Sequence, residues 1–308
     1  MTRQLLSSGL LATLLALSAC DGEDTTATGG TGGAGGGTGG TTASTETGGT
    51  GGTGNTGGTG NTGGTGNTTG GTGGTGGSID DLAPLSDEFD NGNSISDWHL
   101  LHEELGLSAP YTTLDIDFSA DGKLTIIPIV SGWFQSEMAV FLYKDITGDF
   151  LVETDAAAIM KGTASDPPDQ QYNSAGLLIR DPASPLQAQN WLMYNIGYQA
   201  AFIGVEGKAT VASQSQLILI PTNGANAGRL RMCRIGNTVR MLRRLAGEPG
   251  WTETHTFPST FDQTAPYSLP EAVQVGAIVN AYYVDGVRTE HDYIRFSRVT
   301  AQSDCTAD

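Results

Sequence analysis

The chain has 308 residues, 45 of them glycine, and a formal net charge of −18 at pH 7. That acidic balance repels phosphate backbones and anionic headgroups, which excludes nucleic acid as a partner and a charge-driven dock on a lipid surface. Three cysteines with no CxxC spacing exclude a zinc ribbon and a thioredoxin-like redox site.

In chain order, the first element is an export signal over residues 1–20. Arg3 gives a positive start, and Leu10 to Leu17 form an apolar run too short to span a bilayer. The run ends in Leu17-Ser18-Ala19-Cys20, which resembles the lipobox of bacterial lipoproteins. The resemblance implies lipidation of Cys20, a membrane partner through the N-terminal lipid, and a place in the cell envelope. Each buried CH₂ of such an anchor contributes about 0.8 kcal/mol. With Cys20 taken, Cys233 and Cys305 remain in an oxidising compartment, and a disulfide between them is expected.

Residues 21–78 are nearly all Gly and Thr, with no apolar side chain to offset the entropy of ordering. They read as a disordered linker with an r.m.s. span of about 40 Å. Residues 79–308 have ordinary composition and read as one folded domain.

Within that domain, short alternating runs dominate. Leu114 to Phe118 and Leu124 to Ile127 flank Ala120-Asp121-Gly122-Lys123 as a hairpin. Ala139 to Lys144 and Phe150 to Met160 flank Thr147-Gly148-Asp149, which suits another tight turn. Ala175 to Arg180 and Trp191 to Tyr198 flank a Pro-containing loop, and Leu217 to Ile220 is apolar. Leu230 to Ile235 and Val239 to Leu245 flank Gly236-Asn237; Val273 to Val279 and Tyr293 to Val299 complete the set. No long stretch has a 3.6-residue apolar period. The pattern predicts an all-β fold, a two-sheet antiparallel β-sandwich or jelly roll.

Several segments together resemble the concanavalin A-like lectin/glucanase superfamily. Leu85 to Gly92 with Trp98, and Asp292-Tyr293-Ile294-Arg295-Phe296, are similar to the first and last strands of laminarinase-type glycoside hydrolases. Ala175 to Asp181, Trp191-Leu192-Met193-Tyr194, Arg229 to Met232 with Arg234 to Asn237, Pro249-Gly250-Trp251 and Val275-Gly276-Ala277 resemble the non-catalytic laminin G-like and β-xylosidase C-terminal relatives. The resemblance implies two stacked sheets, one concave, and a structural calcium held by Glu88, Asp90 and Asp292, hard oxygen ligands of the kind calcium prefers.

Chemistry is sparse. The hydrolases carry Glu-x-Asp-x-(x)-Glu on one strand; here Glu153 and Asp155 are present but Ala stands where the last Glu belongs, so the acid/base pair is incomplete. The four histidines, His99, His102, His255 and His291, form no metal-ligand spacing, and no Gly-x-Ser-x-Gly occurs. Arg229, Arg231, Arg234, Arg240, Arg243 and Arg244 crowd one hairpin; they read either as a solvated face or as a patch for an anionic partner such as an acidic polysaccharide.

Sugar recognition pairs aromatic faces with hydrogen-bonding groups. Candidates are Trp133, Tyr172, Trp191, Tyr194 and Tyr198, with Gln171, Arg180 and Gln199 as polar partners. Alternation puts Trp191 and Tyr194 on opposite faces, and Tyr194 with Arg180 is the preferred pair. The leading function is non-catalytic binding of a polysaccharide or surface protein. A hydrolase or lyase with a non-standard site and a structural or adhesive role are the alternatives.

Overall fold

The computed structural model describes residues 80–129, 132–261, 267–282 and 286–308. The expected signal with Cys20, the linker over 21–78 and the first residue of the expected domain, Ile79, lie outside the described residues. Among the described residues no helix is long and apolar enough to cross a membrane.

The strands, in chain order, are β1 (His99–Leu100), β2 (Tyr111–Ile116), β3 (Leu124–Pro128), β4 (Phe141–Thr147), β5 (Phe150–Met160), β6 (Asn173–Arg180) and β7 (Trp191–Tyr198). They continue with β8 (Ile203–Val211), β9 (Gln214–Pro221), β10 (Ala227–Ile235), β11 (Thr238–Arg244), β12 (Thr252–Phe257), β13 (Ala272–Ala281) and β14 (Val287–Ser297). One helical turn, α1, covers Leu101–Glu104. Two seven-stranded sheets result, in the orders β1-β4-β13-β6-β7-β8-β9 and β12-β11-β10-β5-β14-β3-β2. Every described pairing is antiparallel. The chain is therefore all-β, a two-sheet antiparallel β-sandwich.

The pairings β2–β3, β6–β7 and β10–β11 follow the local turn signals. At the last, Gly236 takes φ +59°, the left-handed backbone that a two-residue hairpin turn needs. The Thr147-Gly148-Asp149 turn is a correction. It does not close a hairpin: β4 lies in the first sheet beside β13, and β5 lies in the second between β10 and β14. The chain reverses there and changes layer.

One core lies between the sheets. Leu142, Leu177, Ile179, Leu192, Tyr194, Val205 and Val275 from the first sheet meet Leu124, Phe150, Val152, Leu230, Met241 and Phe296 from the second. Each fully buried side chain of this size contributes roughly 1.5–3 kcal/mol. Packing is close: a Cβ at Gly207 on β8 would stand 2.6 Å from the His255 ring on β12.

The first sheet is also covered on its outer face. Phe141, Tyr143, Leu178, Trp191, Met193 and Ile278 point away from the inter-sheet core into a second apolar cluster with Trp133 and Leu101. Covering both faces explains why β6, β7 and β13 read as nearly continuous apolar runs rather than strict alternation. A third cluster on the outer face of the second sheet joins Leu151, Cys233, Leu242, Val299 and Cys305. Cys233 and Cys305 form a disulfide, with Cα atoms 5.5 Å apart, that ties the C-terminal segment to β10.

Candidate functional site

The outer face of the first sheet carries the chemistry. Strand alternation places Trp191 and Met193 of β7, Leu178 and Arg180 of β6, and Ile278 and Asn280 of β13 on this side. Residues 132–138 run across it. The Trp133 N–H donates to Asn280 Oδ1 at 3.1 Å, the Trp133 carbonyl accepts from Lys208 Nζ at 2.8 Å, and the Gln135 N–H donates to Ser215 Oγ at 2.7 Å. The crossing segment thus pins the Trp133 indole against Trp191 and Phe141, with ring centroids 5.7 and 5.9 Å apart.

On one side of this bar lies a cavity of about 140 Å³, lined by Trp133, Phe134, Tyr172, Lys208, Leu217, Asn280 and Tyr282. A water needs about 10–15 Å³ on this measure, so the space takes several waters or one small ligand group. Phe134 and Tyr172 each meet the Tyr282 ring edge-on, at 6.2 and 6.4 Å. The polar floor is buried. Lys208 Nζ stands 3.0 Å from Glu206 Oε1, and Glu206 Oε2 accepts from Asn195 Nδ2 at 2.9 Å. Asn195 Oδ1 accepts in turn from Gln199. A buried ion pair of this kind stands only because hydrogen bonds replace lost water.

On the other side of the bar is an open groove of about 570 Å³, lined by Trp98, His99, Leu100, Glu103, Glu104, Tyr143, Asp145 and Gln274. Glu104 Oε2 accepts from Gln274 Nε2 and from the Tyr143 hydroxyl. Burial first, then the Glu104 carboxylate, push the Tyr143 phenol far above its ordinary range. Arg180 lies behind this groove, buried, with Nη1 donating to Gln274 Oε1 at 2.6 Å and Nε to Gln189 Oε1 at 3.1 Å. Burial pulls its pKa below that of a free guanidinium.

The sequence candidates separate accordingly. Trp133 and Tyr172 come together at the cavity. Gln171 is exposed beside Tyr172 and donates to the Ala200 carbonyl at 2.6 Å. The preferred pair of Tyr194 with Arg180 is corrected. Tyr194 is fully buried in the inter-sheet core, its hydroxyl accepting from Thr254 Oγ1 at 2.8 Å, while Arg180 pairs in register with Trp191 on the outer side. The alternation was read rightly, but the aromatic that faces outward is Trp191. Gln199 is buried against Asn195 and the Gly204 carbonyl. Phe134, Lys208, Leu217, Asn280 and Tyr282 were missed. Their signal was Glu206-x-Lys208-x-Thr210 and Asn280-x-Tyr282, polar and aromatic residues repeating at period two.

The calcium set is also corrected. Glu88 is occupied by Arg295, with Oε1 2.7 Å from Nε, and that contact holds its pKa below the usual carboxylate range. Asp292 is paired with Lys123. Asp90 is exposed, and among the described residues no group of three or more His, Cys, Asp or Glu is placed to hold a metal ion. Glu88 and Asp292 are spent on cations of the protein itself and Asp90 stands exposed apart from them, so the three do not gather into a calcium site among the described residues.

Glu153 lies on the outer face of the second sheet. It accepts from Arg231 Nε at 3.1 Å and from the Tyr293 hydroxyl at 2.6 Å. Arg231 also donates to the Cys305 and Ala307 carbonyls and lies 3.8 Å from the Trp251 ring centre. The other hairpin arginines are matched in the same way: Arg229 with Asp155, Arg240 with Glu253, Arg243 with Glu248 and Arg244 with Asp308. Arg234 donates to the Gly236 carbonyl at 3.0 Å. Five of the six hairpin arginines are paired with carboxylates of the chain, which speaks against an anion-binding patch, and Arg231 and Arg234 are buried rather than solvated.

No protein-family model matches the chain, and no curated protein matches it. The fold is shared with solved sandwich structures. A functionally unknown protein from Saccharomyces cerevisiae superposes with a TM-score of 0.50 at 13% identity, covering 67% of this chain and 99% of that one. A mutant of the GH43 protein BlXynB from Bacillus licheniformis gives a TM-score of 0.53 at 10% identity, covering 71% of this chain and 40% of that one. A xylan β-1,4-xylosidase from Bacillus halodurans C-125 gives 0.50 at 15% identity, with 69% and 39% coverage. The chain spans about two fifths of the length of these GH43 enzymes.

Proposed function

We propose that the sandwich is a non-catalytic carbohydrate-binding module that takes its ligand on the outer face of the first sheet, in an exported protein anchored through lipid on Cys20. The observation that carries the reading is the cavity bounded by Trp133, Phe134, Tyr172 and Tyr282 over the buried Glu206–Lys208 pair. Aromatic faces stack on the apolar faces of sugar rings, and a few fixed polar groups orient the hydroxyls. The carboxylate nearest to a glycosidase motif, Glu153, is locked to Arg231 and Tyr293 on the opposite sheet.

The test is retention of residues 21–308 on immobilised xylan, laminarin and alginate, with released sugar assayed in parallel. Xylan is included because a xylosidase shares the fold. Retention without sugar release is expected, weakened about tenfold in Tyr172→Ala, the order of one lost stacking contact. Release of sugar would replace this reading with hydrolysis or lysis, and absence of retention from a folded sample would leave an adhesive protein. Labelled palmitate should enter the full chain and fail to enter Cys20→Ala; equal labelling would refute the anchor.

A further inference from the structure

The cavity floor has an unusual hydrogen-bond inventory. Lys208 carries three N–H groups. One donates to the Trp133 carbonyl and one faces Glu206 Oε1; no described residue accepts the third. Asn280 uses its oxygen to accept from the Trp133 N–H, and among the described residues nothing accepts from its amide nitrogen. The Trp133 indole N–H, on a fully buried side chain that lines the cavity, has no acceptor either. Most acceptors at this floor are already engaged: Asn280 Oδ1 by Trp133, the Trp133 carbonyl by Lys208 and Glu206 Oε2 by Asn195, while Glu206 Oε1 has no hydrogen bond and faces Lys208 Nζ at 3.0 Å as its ion-pair partner. Unused donors remain, and unpartnered buried donors call for an acceptor.

Charge then narrows the acceptor. Lys208 is already neutralised by Glu206 at 3.0 Å. A ligand carboxylate would add a second anion beside Glu206, in a chain of net charge −18. A ligand ammonium would meet the Lys208 cation and the free donors. The group that fits these donors is an uncharged acceptor, and a carbonyl oxygen offers two lone pairs to them without bringing a further donor. The walls are apolar and aromatic, from Phe134, Leu217 and Tyr282. They suit a small apolar substituent on the same carbonyl.

We propose that this cavity is a subsite for an acetyl group on a sugar, the carbonyl oxygen accepting from Lys208 Nζ and Asn280 Nδ2 and the methyl packing on the aromatic wall. The proposal rests on the carbohydrate reading above and narrows its ligand to acetylated glycans. N-acetyl and O-acetyl sugars share this chemistry.

The experiment is calorimetric titration of the full chain with two matched pairs of probes: O-acetylated xylo-oligosaccharide and its alkali-deacetylated form, N-acetylglucosamine tetramer and glucosamine tetramer, each against wild type and against Lys208→Met. Oligogalacturonate is the anionic control. An acetylated member of at least one pair should bind about tenfold tighter than its deacetylated partner, the order of one net hydrogen bond with its buried methyl. The pair that shows the preference identifies the source. In Lys208→Met the preference should collapse while weaker glycan binding remains. In Asn280→Asp, which keeps the acceptor for the Trp133 N–H and removes the free donor, it should collapse as well. Equal affinity within both pairs overturns the acetyl subsite and leaves the carbohydrate reading standing. Tighter binding of oligogalacturonate overturns it in favour of an acid. No binding of any glycan by a folded sample defeats both readings. If Lys208→Met does not fold, the wild-type pairs and Asn280→Asp still decide.

Discussion

Two histidines govern how the sandwich responds to acid. His255 is wedged between the sheets, its Nε2 3.1 Å from the Ile218 carbonyl, its ring stacked on Phe261 and edge-on to Tyr194. His291 is fully buried on β14 with Nδ1 3.0 Å from Thr154 Oγ1. Burial drags both pKa values from 6.5 down to about 4. The unfolded chain therefore binds more protons than the folded one between about pH 6.5 and 4. The stability they protect is complete above that window and is lost progressively as pH falls through it, by about 3 kcal/mol per histidine. Thermal unfolding from pH 7.5 to 4.5 should show a steep drop in midpoint, shallower in His291→Gln. A flat profile would mean that these rings are hydrated in solution. Side-chain facing was partly legible at this scale. Alternation separates Trp191 from Tyr194, but both are aromatic with one polar atom, so period two alone does not say which looks outward. The answer depends on Trp133, whose crossing segment covers Trp191 from a distant part of the chain.

At the scale of elements, the strands with clean alternation or apolar runs were legible, and those built on polar buried faces were not. The β8 strand shows why. Its Gly204, Glu206, Gly207 and Lys208 break the apolar pattern, yet all are buried. Their burial depends on the crossing segment and on His255, neither of which a local window contains. The β4–β5 turn was legible as a reversal but not as a change of sheet, since partner choice for β5 is made by β10 and β14 far along the chain. The C-terminal segment is an element held by one covalent bond and by Arg231, Arg240 and Arg244 of the arginine-rich hairpin. The Cys233–Cys305 disulfide closes a separation of 72 residues, and Arg231 reaches the carbonyls of Cys305 and Ala307. Loop-closure entropy gives the bridge about 4 kcal/mol. Replacing both cysteines by Ala should lower the denaturation free energy by that order and expose residues 299–308 to limited proteolysis. An unchanged midpoint with a protected C-terminus would show that these arginines and the apolar contacts suffice without the bond.

At the scale of the whole molecule, the two sheets have different outer faces. That of the second sheet is closed by the C-terminal segment and by carboxylate–arginine pairs such as Glu153–Arg231 and Arg240–Glu253. That of the first holds an aromatic cavity and an acidic groove, Glu103, Glu104 and Asp145, on either side of Trp133. The fold class was readable from turn spacing and strand periods. The location of the site was not, because the cavity draws on β8, β9, β13, the residues just before β6 and just after β13, and a connecting segment that meet only in three dimensions. Its polar members are ordinary residues whose meaning comes from burial. The indole N–H resonances of Trp133 and Trp251 mark the two outer faces, and their response to glycan reports which one is the binding surface. During titration of residues 21–308 with an acetylated xylo-oligosaccharide, the Trp133 indole signal should shift saturably while that of Trp251 stays in place. A shift at Trp251 with Trp133 unmoved would put the ligand on the second sheet and contradict the site described above.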